Sequence, residues 1–587
     1  MNGDRHNTAE RLTAWLSRVM LVVAVVAAAS LVAEYAFFLE PSALRILHVI
    51  DLAVVGMFVL DAVVRFSLAR KKLAFLKARW PSAVIVLLIG IQLIIVAVLR
   101  GRGGLAPFLE ERTVFSIAKG YIVVLQISIV FFILSEMVRV NRRMAALRVR
   151  PARTVMFSFV FVILVGTLLL STPRATPGGE IPVVDAFFTA TSAVCVTGLT
   201  VRDTGSDFTT FGHGVILVLI QIGGLGLITF TAFFAIVMRR GLGVKESLVL
   251  RGMLTFETVG RIGRTIKYMI GLTLGLEALG ALGLFLFSRG DFGTTGDAIW
   301  VSVFHAISAF CNAGLSLFTT SFERYAESIP INLVMTSLII IGGLGFPVLM
   351  NVLGRRPLAA GKASQRWSLH TRVVVAMTAA LLVTGTIVFY LLERDGILYG
   401  CSFGEGLLKS YFASVTARTA GFNTVRTAWL GMPTLFMLAA LMFIGGSPGG
   451  TAGGVKTSTL GIVLASVFST FGGRDRVELY RRRVPELVVR EALVVVAMGI
   501  LVVSFGVFVL LTVEDLPLSD ALFEVVSAFG TVGLSTGVTP GLSAAGKIVL
   551  MLIMLTGRIG PLTLALAIGQ RGERHLYDYP EERVVIG

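Results

Sequence analysis

One pattern recurs four times in this chain and constrains the fold more than any other feature. It reads Phe188-x-x-x-Ser192-Ala193-x-Cys195-x-Thr197-Gly198-Leu199, then Phe304-x-x-x-Ser308-Ala309-x-Cys311-x-Ala313-Gly314-Leu315. A third copy runs from Tyr411 through Thr416 to Ala420-Gly421-Phe422, and a fourth from Phe523 through Ser527-Ala528 to Gly530-Thr531-Val532-Gly533-Leu534. The aromatic stands ten residues before the glycine each time, and the glycines are spaced 116, 107 and 112 residues apart (198 to 314, 314 to 421, 421 to 533). Each copy lies between two long apolar segments. A helix-to-glycine turn repeated four times between spans points to a ring of four units around one pore.

Composition sets the class. Hydrophobic residues make up 55% and charged residues 15%, and mean hydropathy is +0.85. A chain of 587 residues with these values is a polytopic membrane protein rather than a string of soluble domains. A span needs about 20 apolar residues. Candidates lie at 13–37, 43–66, 82–99, 118–138, 154–171, 213–238, 266–287, 331–353, 372–392, 433–444 continuing to 459–470, 491–512 and 544–569. The expected fold is all-α and polytopic: four span–pore-helix–span repeats in pseudo-fourfold arrangement around one pore, plus an N-terminal four-helix bundle. The expected boundaries are 1–150 for the accessory bundle, 151–240, 241–356 and 357–485 for the first three repeats, and 486–587 for the fourth with the C-terminal tail. Only Cys195, Cys311 and Cys401 are present, which argues against a disulfide framework. The two in the repeat turns read as packing rather than metal ligands.

The formal charge of +17 would suit nucleic acid, but its distribution does not. Basic clusters fall at 65–79, 139–153, 239–267, 355–372 and 474–490, each separated from the next by an even number of spans. All then lie on one side, the cytoplasmic one by the positive-inside rule, together with both termini. The partner this implies is a lipid bilayer, not nucleic acid. The four turns open to the outside, where Glu514, Asp515, Asp520 and Glu524 read as an acidic vestibule that concentrates cations.

Short segments before each glycine, such as 184–194 and 522–529, are too short to cross and suit half-helices whose C-terminal ends point at an ion. Irregular backbone at membrane depth is tolerated only where it lines a cavity or is buried in protein. The turn side chains are mostly uncharged, so the ligands are backbone carbonyls, which replace the hydration shell of a monovalent cation. Glycine allows the dihedrals that aim successive carbonyls inward. The candidate filter is Val196, Thr197 and Gly198; Asn312, Ala313 and Gly314; Thr419, Ala420 and Gly421; Thr531, Val532 and Gly533.

A second feature keeps step with the first. Glycine pairs Gly223-Gly224, Gly342-Gly343 and Gly445-Gly446 follow the turn glycines by 25, 28 and 24 residues, and Gly557 follows by 24 with Arg558 where the second glycine stands elsewhere. Pseudo-fourfold symmetry aims Arg558 at the axis below the filter, where an ionisable residue is a functional candidate. The third unit is interrupted by Gly445, Gly446, Ser447, Pro448, Gly449, Gly450, Thr451, Ala452, Gly453, Gly454, Val455, Lys456, Thr457 and Ser458. So many glycines and a proline cannot sustain a helix. The segment reads as a flexible intramembrane loop that covers or clears the pore. It lacks the register of a phosphate-binding loop and follows no strand.

These turns, the GGSPGGTAGGVKT break and Gly557-Arg558-Ile559-Gly560-Pro561 resemble the Trk/Ktr potassium-uptake proteins of bacteria and their plant HKT relatives, over about residues 151–570. Gly560-Pro561 and the modest size look closer to the Ktr membrane subunit. The resemblance implies potassium uptake across the bacterial inner membrane, with filter glycines Gly198, Gly314, Gly421 and Gly533, a gate loop at 445–458 and a pore arginine, Arg558. It implies a homodimer and a cytoplasmic ring of nucleotide-binding, TrkA/KtrA-like regulatory subunits. No cofactor is expected in this chain; the potassium ion is cargo, and any nucleotide belongs to the regulatory ring. Relatives with serine at the first filter glycine pass sodium, so Gly198 favours potassium.

Residues 1–150 depart from the short family members. Asp51, Phe58, Asp61 and Arg65 faintly resemble voltage-sensor helices, but the span at 117–136 has Lys119 as its only internal cation, and a sensor needs several charges. An accessory bundle is the expectation. Sodium or mixed transport is the rival within this fold. A secondary transporter of an organic solute needs inverted repeats, whereas every unit here has the same orientation. His213, His305 and His370 are scattered and no H-E-x-x-H or G-x-S-x-G constellation occurs, so an enzyme is not expected.

Overall fold

A computed structural model describes residues 40–68, 151–237, 262–353, 367–474, 476–561 and 563, together with scattered positions between 19 and 37. The chain divides into two compact units, residues 1–148 with 172–174, and the remainder. Of the first unit the helix Pro41–Leu68 is described, which contains the expected span at 43–66. The expected spans at 82–99 and 118–138 lie outside the described residues.

The described residues of the second, larger unit are almost entirely helical. Three helices come in sequence four times: Pro151–Leu170, Val183–Cys195 and Thr210–Val237; Ile262–Ser288, Thr295–Cys311 and Ile329–Leu344; Leu369–Glu393, Phe403–Thr416 and Met432–Phe443; Glu486–Val513, Leu518–Gly530 and Ala544–Ile559. Among the described residues, Tyr268–Asp291, Leu369–Glu393 and Glu486–Val513 are by themselves long and apolar enough to cross a membrane. Their outer faces carry exposed leucine and phenylalanine, such as Leu279, Phe505 and Phe508. A lipid tail is as good a neighbour for these as another helix, so the helices hold together through packing and hydrogen bonds rather than through exclusion of water.

The four short helices form the centre. Phe188, Phe304 and Phe523 are fully buried, as the repeat demands. In the third unit the repeat aromatic Tyr411 is only half-buried and Phe412 takes the inner position. That helix ends at Thr416, five residues before its glycine, where the other three end three residues before theirs. Each short helix begins with an acid at its third residue: Asp185, Asp297, Glu405 and Asp520. The acid sits at the positive end of the helix dipole. Thr294 caps the second helix, and Ser402 forms a reciprocal capping box with Glu405 in the third.

Two spans differ from the sequence expectation. The stretch 331–353 is not one helix but two, Ile329–Leu344 and Phe346–Leu353, bent by 102° at Gly345. Gly345 has a φ of +83°, a conformation that ends a helix and that only glycine adopts at little cost. The helix Ala544–Ile559 breaks at Gly560, with a φ of +91°; Pro561 and Thr563 are again helical, and the rest of the expected span to 569 lies outside the described residues. The break in the third unit is found where expected, between Phe443 and Thr457. The basic segment after Phe471 folds into a hairpin, Glu478–Leu479 against Arg482–Arg483, with Tyr480 and Arg481 both at positive φ as a tight two-residue turn requires. The other basic clusters lie largely outside the described residues.

Candidate functional site

The four glycine turns share one backbone geometry. Gly198, Gly314, Gly421 and Gly533 all have positive φ, and so does the residue two before each: Val196, Asn312, Thr419 and Thr531. Left-handed backbone at alternate residues is rare outside glycine, and its recurrence in all four turns marks one shared conformation. Left-handed conformation in a non-glycine residue costs about 1–3 kcal/mol and persists only where the surroundings enforce it. In three units the enforcement is a double hydrogen-bonded helix cap. Val196 N–H donates to Ala193 and Thr197 N–H to Ser192; the same pairs recur as Asn312 to Ala309 with Ala313 to Ser308, and Thr531 to Ala528 with Val532 to Ser527.

The hydroxyl of the repeat then ties the turn. Ser192 Oγ accepts from Gly198 N–H at 3.0 Å and Ser527 Oγ from Gly533 N–H at 3.1 Å. Ser308 Oγ donates to the Leu315 carbonyl at 2.8 Å and Thr416 Oγ1 to the Phe422 carbonyl at 2.7 Å. The conspicuous Ser/Thr of the sequence pattern is therefore a fastening, not a ligand.

The turns meet head to tail. A β-carbon on Gly198 would overlap the Ala313 carbonyl oxygen; on Gly314, that of Ala420; on Gly421, that of Val532; on Gly533, that of Thr197. The series closes on itself in chain order. Among these residues the side chains of Asn312 and Thr419 are hydrogen-bonded at 3.2 Å, linking the second turn to the third. All twelve candidate filter residues thus fall in one closed cluster at the ends of the short helices.

The glycine pairs have a steric reason. A β-carbon on Gly223 would overlap the Val194 carbonyl, on Gly342 that of Phe310, and on Gly557 that of Phe529. Each second span passes directly against the C-terminal end of its own short helix. Gly445 instead faces the Gly453 carbonyl, because here the chain has left the helix.

The segment 445–458 lies packed under the turns rather than loose. It is pinched at its base, where Gly445 N–H donates to Val455 and Val455 N–H to Phe443. Ser447 N–H donates to Gly343, Thr451 N–H to Gly342, and Phe346 N–H to Gly449, so the loop nests in the bend of the second unit. Gly453 N–H donates to Thr531 Oγ1 at 3.0 Å, touching the fourth turn from below. Thr451 Oγ1 donates to the Phe310 carbonyl, Ser447 and Thr457 share a hydroxyl hydrogen bond at 2.9 Å, and Lys456 Nζ donates to the Ala452 carbonyl at 2.6 Å. Gly446, Gly450 and Gly454 are buried, and Pro448 is half-buried beside Gly345. The expected flexibility is confined to what the glycines allow once these bonds are broken.

Arg558 is 1% exposed and bridges two units. Its Nη1 donates to the Thr451 carbonyl of the loop and its Nη2 to the Gly223 carbonyl at 2.6 Å. The guanidinium is too costly to bury for packing alone; here it clamps the loop to the first unit.

Several residues escaped the sequence reading. Glu277, 4% exposed on the first span of the second unit, accepts from Gln221 Nε2 at 3.1 and 3.3 Å and lies 3.9 Å from Cys311 Sγ. Both cysteines of the repeat are free and buried, as expected of packing residues. Asp185 accepts from Lys547 Nζ at 2.7 Å and from Arg202 Nε at 2.9 Å. A Pro/Ser/Thr-x-x-Asp/Glu signature before each short helix was the available signal for the capping acids. The acidic vestibule needs correction at two positions. Glu524 is wholly buried in the fourth short helix and accepts from Ser535, Thr536 N–H and Thr539 at 2.5, 3.0 and 2.6 Å. Glu514 is half-buried and accepts from the Ser543 N–H and hydroxyl. Both tie down the loops beside them; Glu524 is withdrawn from solvent, while Glu514 keeps part of its surface exposed.

Residues 122–571 match the sequence profile of the TrkH family, described as cation transport protein. The chain belongs to that family. The match takes in all four turns, the packed loop and Arg558. The TrkH-family chain is 36% identical over 442 residues to Ktr system potassium uptake protein B of Bacillus subtilis, covering 75% of this chain and 97% of that one. It is 35% identical over 449 residues to the potassium/sodium uptake protein NtpJ of Enterococcus hirae, covering 75% and 98%. In structure it is similar to the potassium transporter TrkH of Vibrio parahaemolyticus, with a TM-score of 0.59 at 20% identity over 83% of this chain and 97% of that one. TrkH-family proteins are cation transporters rather than enzymes, and this one is a helical membrane protein of their fold.

Proposed function

We propose that this chain is the membrane subunit of a potassium-uptake system of the bacterial cytoplasmic membrane, with N- and C-termini inside. The closed ring of left-handed glycine turns carries the reading. It brings a carbonyl of each turn against the glycine of its neighbour, and a pore through such a cluster would offer a permeant ion neutral dipoles, the environment that replaces a monovalent cation's water shell. Val196 to Gly198 and their three counterparts act as filter. The loop from Gly445 to Ser458, clamped by Arg558, acts as gate. The chain works as a homodimer beneath which a nucleotide-binding regulatory ring docks, and the exposed arginine hairpin Arg482–Arg483 is the surface suited to it. Similarity to the Bacillus potassium-uptake protein supports the choice of ion.

Mixed sodium and potassium transport is the second reading, favoured by the equal similarity to the Enterococcus protein. Rubidium uptake into proteoliposomes, with potassium or sodium as competitor, tests both. Potassium competition without sodium competition is the expected outcome. Equal competition by sodium establishes the second reading, and absence of flux from folded protein in any regulator-bound or nucleotide state overturns both.

A further inference from the structure

Arg418 sits in the third turn, three residues before Gly421, and is 8% exposed. Among the described residues no hydrogen bond or ion pair reaches its guanidinium, and its Nε is a buried group without a partner. Arginine keeps its proton in any protein environment, so this is a permanent charge in a dry place. Buried charges are as a rule paired or hydrogen-bonded, as Arg558 is to two carbonyls.

The guanidinium lines a small cavity between the second span of the second unit and the first span of the third. Ile339, Leu382 and Val415 supply apolar wall, and no acidic residue borders it. Thr378 is the one other polar side chain there, 6% exposed, and its hydroxyl also has no partner. A buried helical threonine can bond its own backbone, although among the described residues Thr273, like Thr378, has no partner. Buried threonines elsewhere in these helices, Thr167, Thr336 and Thr386, donate to the carbonyl one turn back. Thr378 does not, which leaves its proton for whatever occupies the cavity.

A cation and a spare hydroxyl donor lining one small cavity form the donor set of an anion. Water would satisfy the donors and leave the charge; a monovalent anion satisfies both. The charge also stands beside a ring proposed to hold cations, against which an uncompensated guanidinium works. We infer that the cavity behind the third turn is a binding site for a small monovalent anion of the chloride class, held by Arg418 and Thr378, whose occupancy supports the third turn.

Full-length purified protein in potassium bromide, examined at the bromine absorption edge, is expected to show an anomalous peak within hydrogen-bonding reach of Arg418. Solvent density there without anomalous signal, or an empty cavity, overturns the inference. The thermal midpoint in detergent gives a second readout that does not depend on transport. Replacing chloride by gluconate should lower it for the unmodified protein and leave Arg418→Gln unchanged; an equal shift in both, or none in either, counts against the site. If Arg418→Gln does not insert, Thr378→Val takes its place, with a reduced anion dependence expected.

Discussion

Lys547 Nζ donates to Asp185 Oδ1 at 2.7 Å, joining the last span to the first short helix across 362 positions of sequence. Both side chains are largely buried, at 13% and 7% exposure. The bond spans the seam between the fourth unit and the first, where no chain connection holds the ring shut.

Removing Lys547 leaves Asp185 with one cation where it had two. Lys547→Met should lower the stability of the purified protein by about 1–3 kcal/mol, the loss of one hydrogen bond to a charged group, read as denaturation in detergent. Arg202 still reaches Asp185, so Asp185→Asn combined with Lys547→Met should cost less than the two changes summed. Strict additivity would show that the seam is held by other contacts.

Gly198→Ser should disturb the ring at two points. It strains a residue at φ +90° and presses a side chain into the Ala313 carbonyl, a combination that costs on the order of 1–3 kcal/mol from strain alone. The expected result is weakened discrimination, with sodium competing against rubidium uptake. Unchanged selectivity in a folded variant would remove these carbonyls from the filter.

Arg558→Ala should raise flux. It frees the Thr451 carbonyl from Gly223 and removes a positive charge from the path, where Coulomb penalties are large in a low-dielectric surrounding. Arg558→Lys keeps the charge but cannot donate as a fork, and intermediate flux is expected. Flux normalised to inserted protein is the measurement; a loss in both variants makes the residue structural.

Deleting 449–454 removes the part of the loop that reaches Gly342, Phe310 and Thr531. The shortened protein should conduct without its regulator. If it folds, dimerises and stays silent without the partner, the loop is not the gate.

Glu524→Ala strips an acceptor from three donors at once, Ser535, Thr536 and Thr539. A loss of about 2–3 kcal/mol is expected from the buried donors left unmade, with a lowered thermal midpoint as the readout.

The ring was legible because its sequence signal is steric. Only glycine serves at positive φ against a neighbour's carbonyl, so the four turns and the paired glycines leave a mark that a periodic apolar background cannot hide. Arg558 was legible as the one departure from that symmetry. Glu277, Glu524 and Arg418 were not, since a charge in an apolar stretch says nothing about which neighbour meets it. Glu524 read as a vestibule acid because the position of a half-helix along the chain does not say which side of it meets solvent, and its helix turns it inward to Thr539. The bend at Gly345 was missed for a related reason: a glycine inside a long apolar run is compatible with a straight helix until something, here the backbone of 448–450, packs into its place.

The loop and the 102° bend are joined by main-chain groups: Ser447 to Gly343, Thr451 to Gly342, Phe346 to Gly449. A displacement of the arm Phe346–Leu353 therefore reaches the loop through peptide bonds that no substitution deletes, proline excepted. Side chains along this linkage are free to drift while the transmission survives. Two breaks that look independent along the chain are one hinge with two leaves, inherited and disabled together.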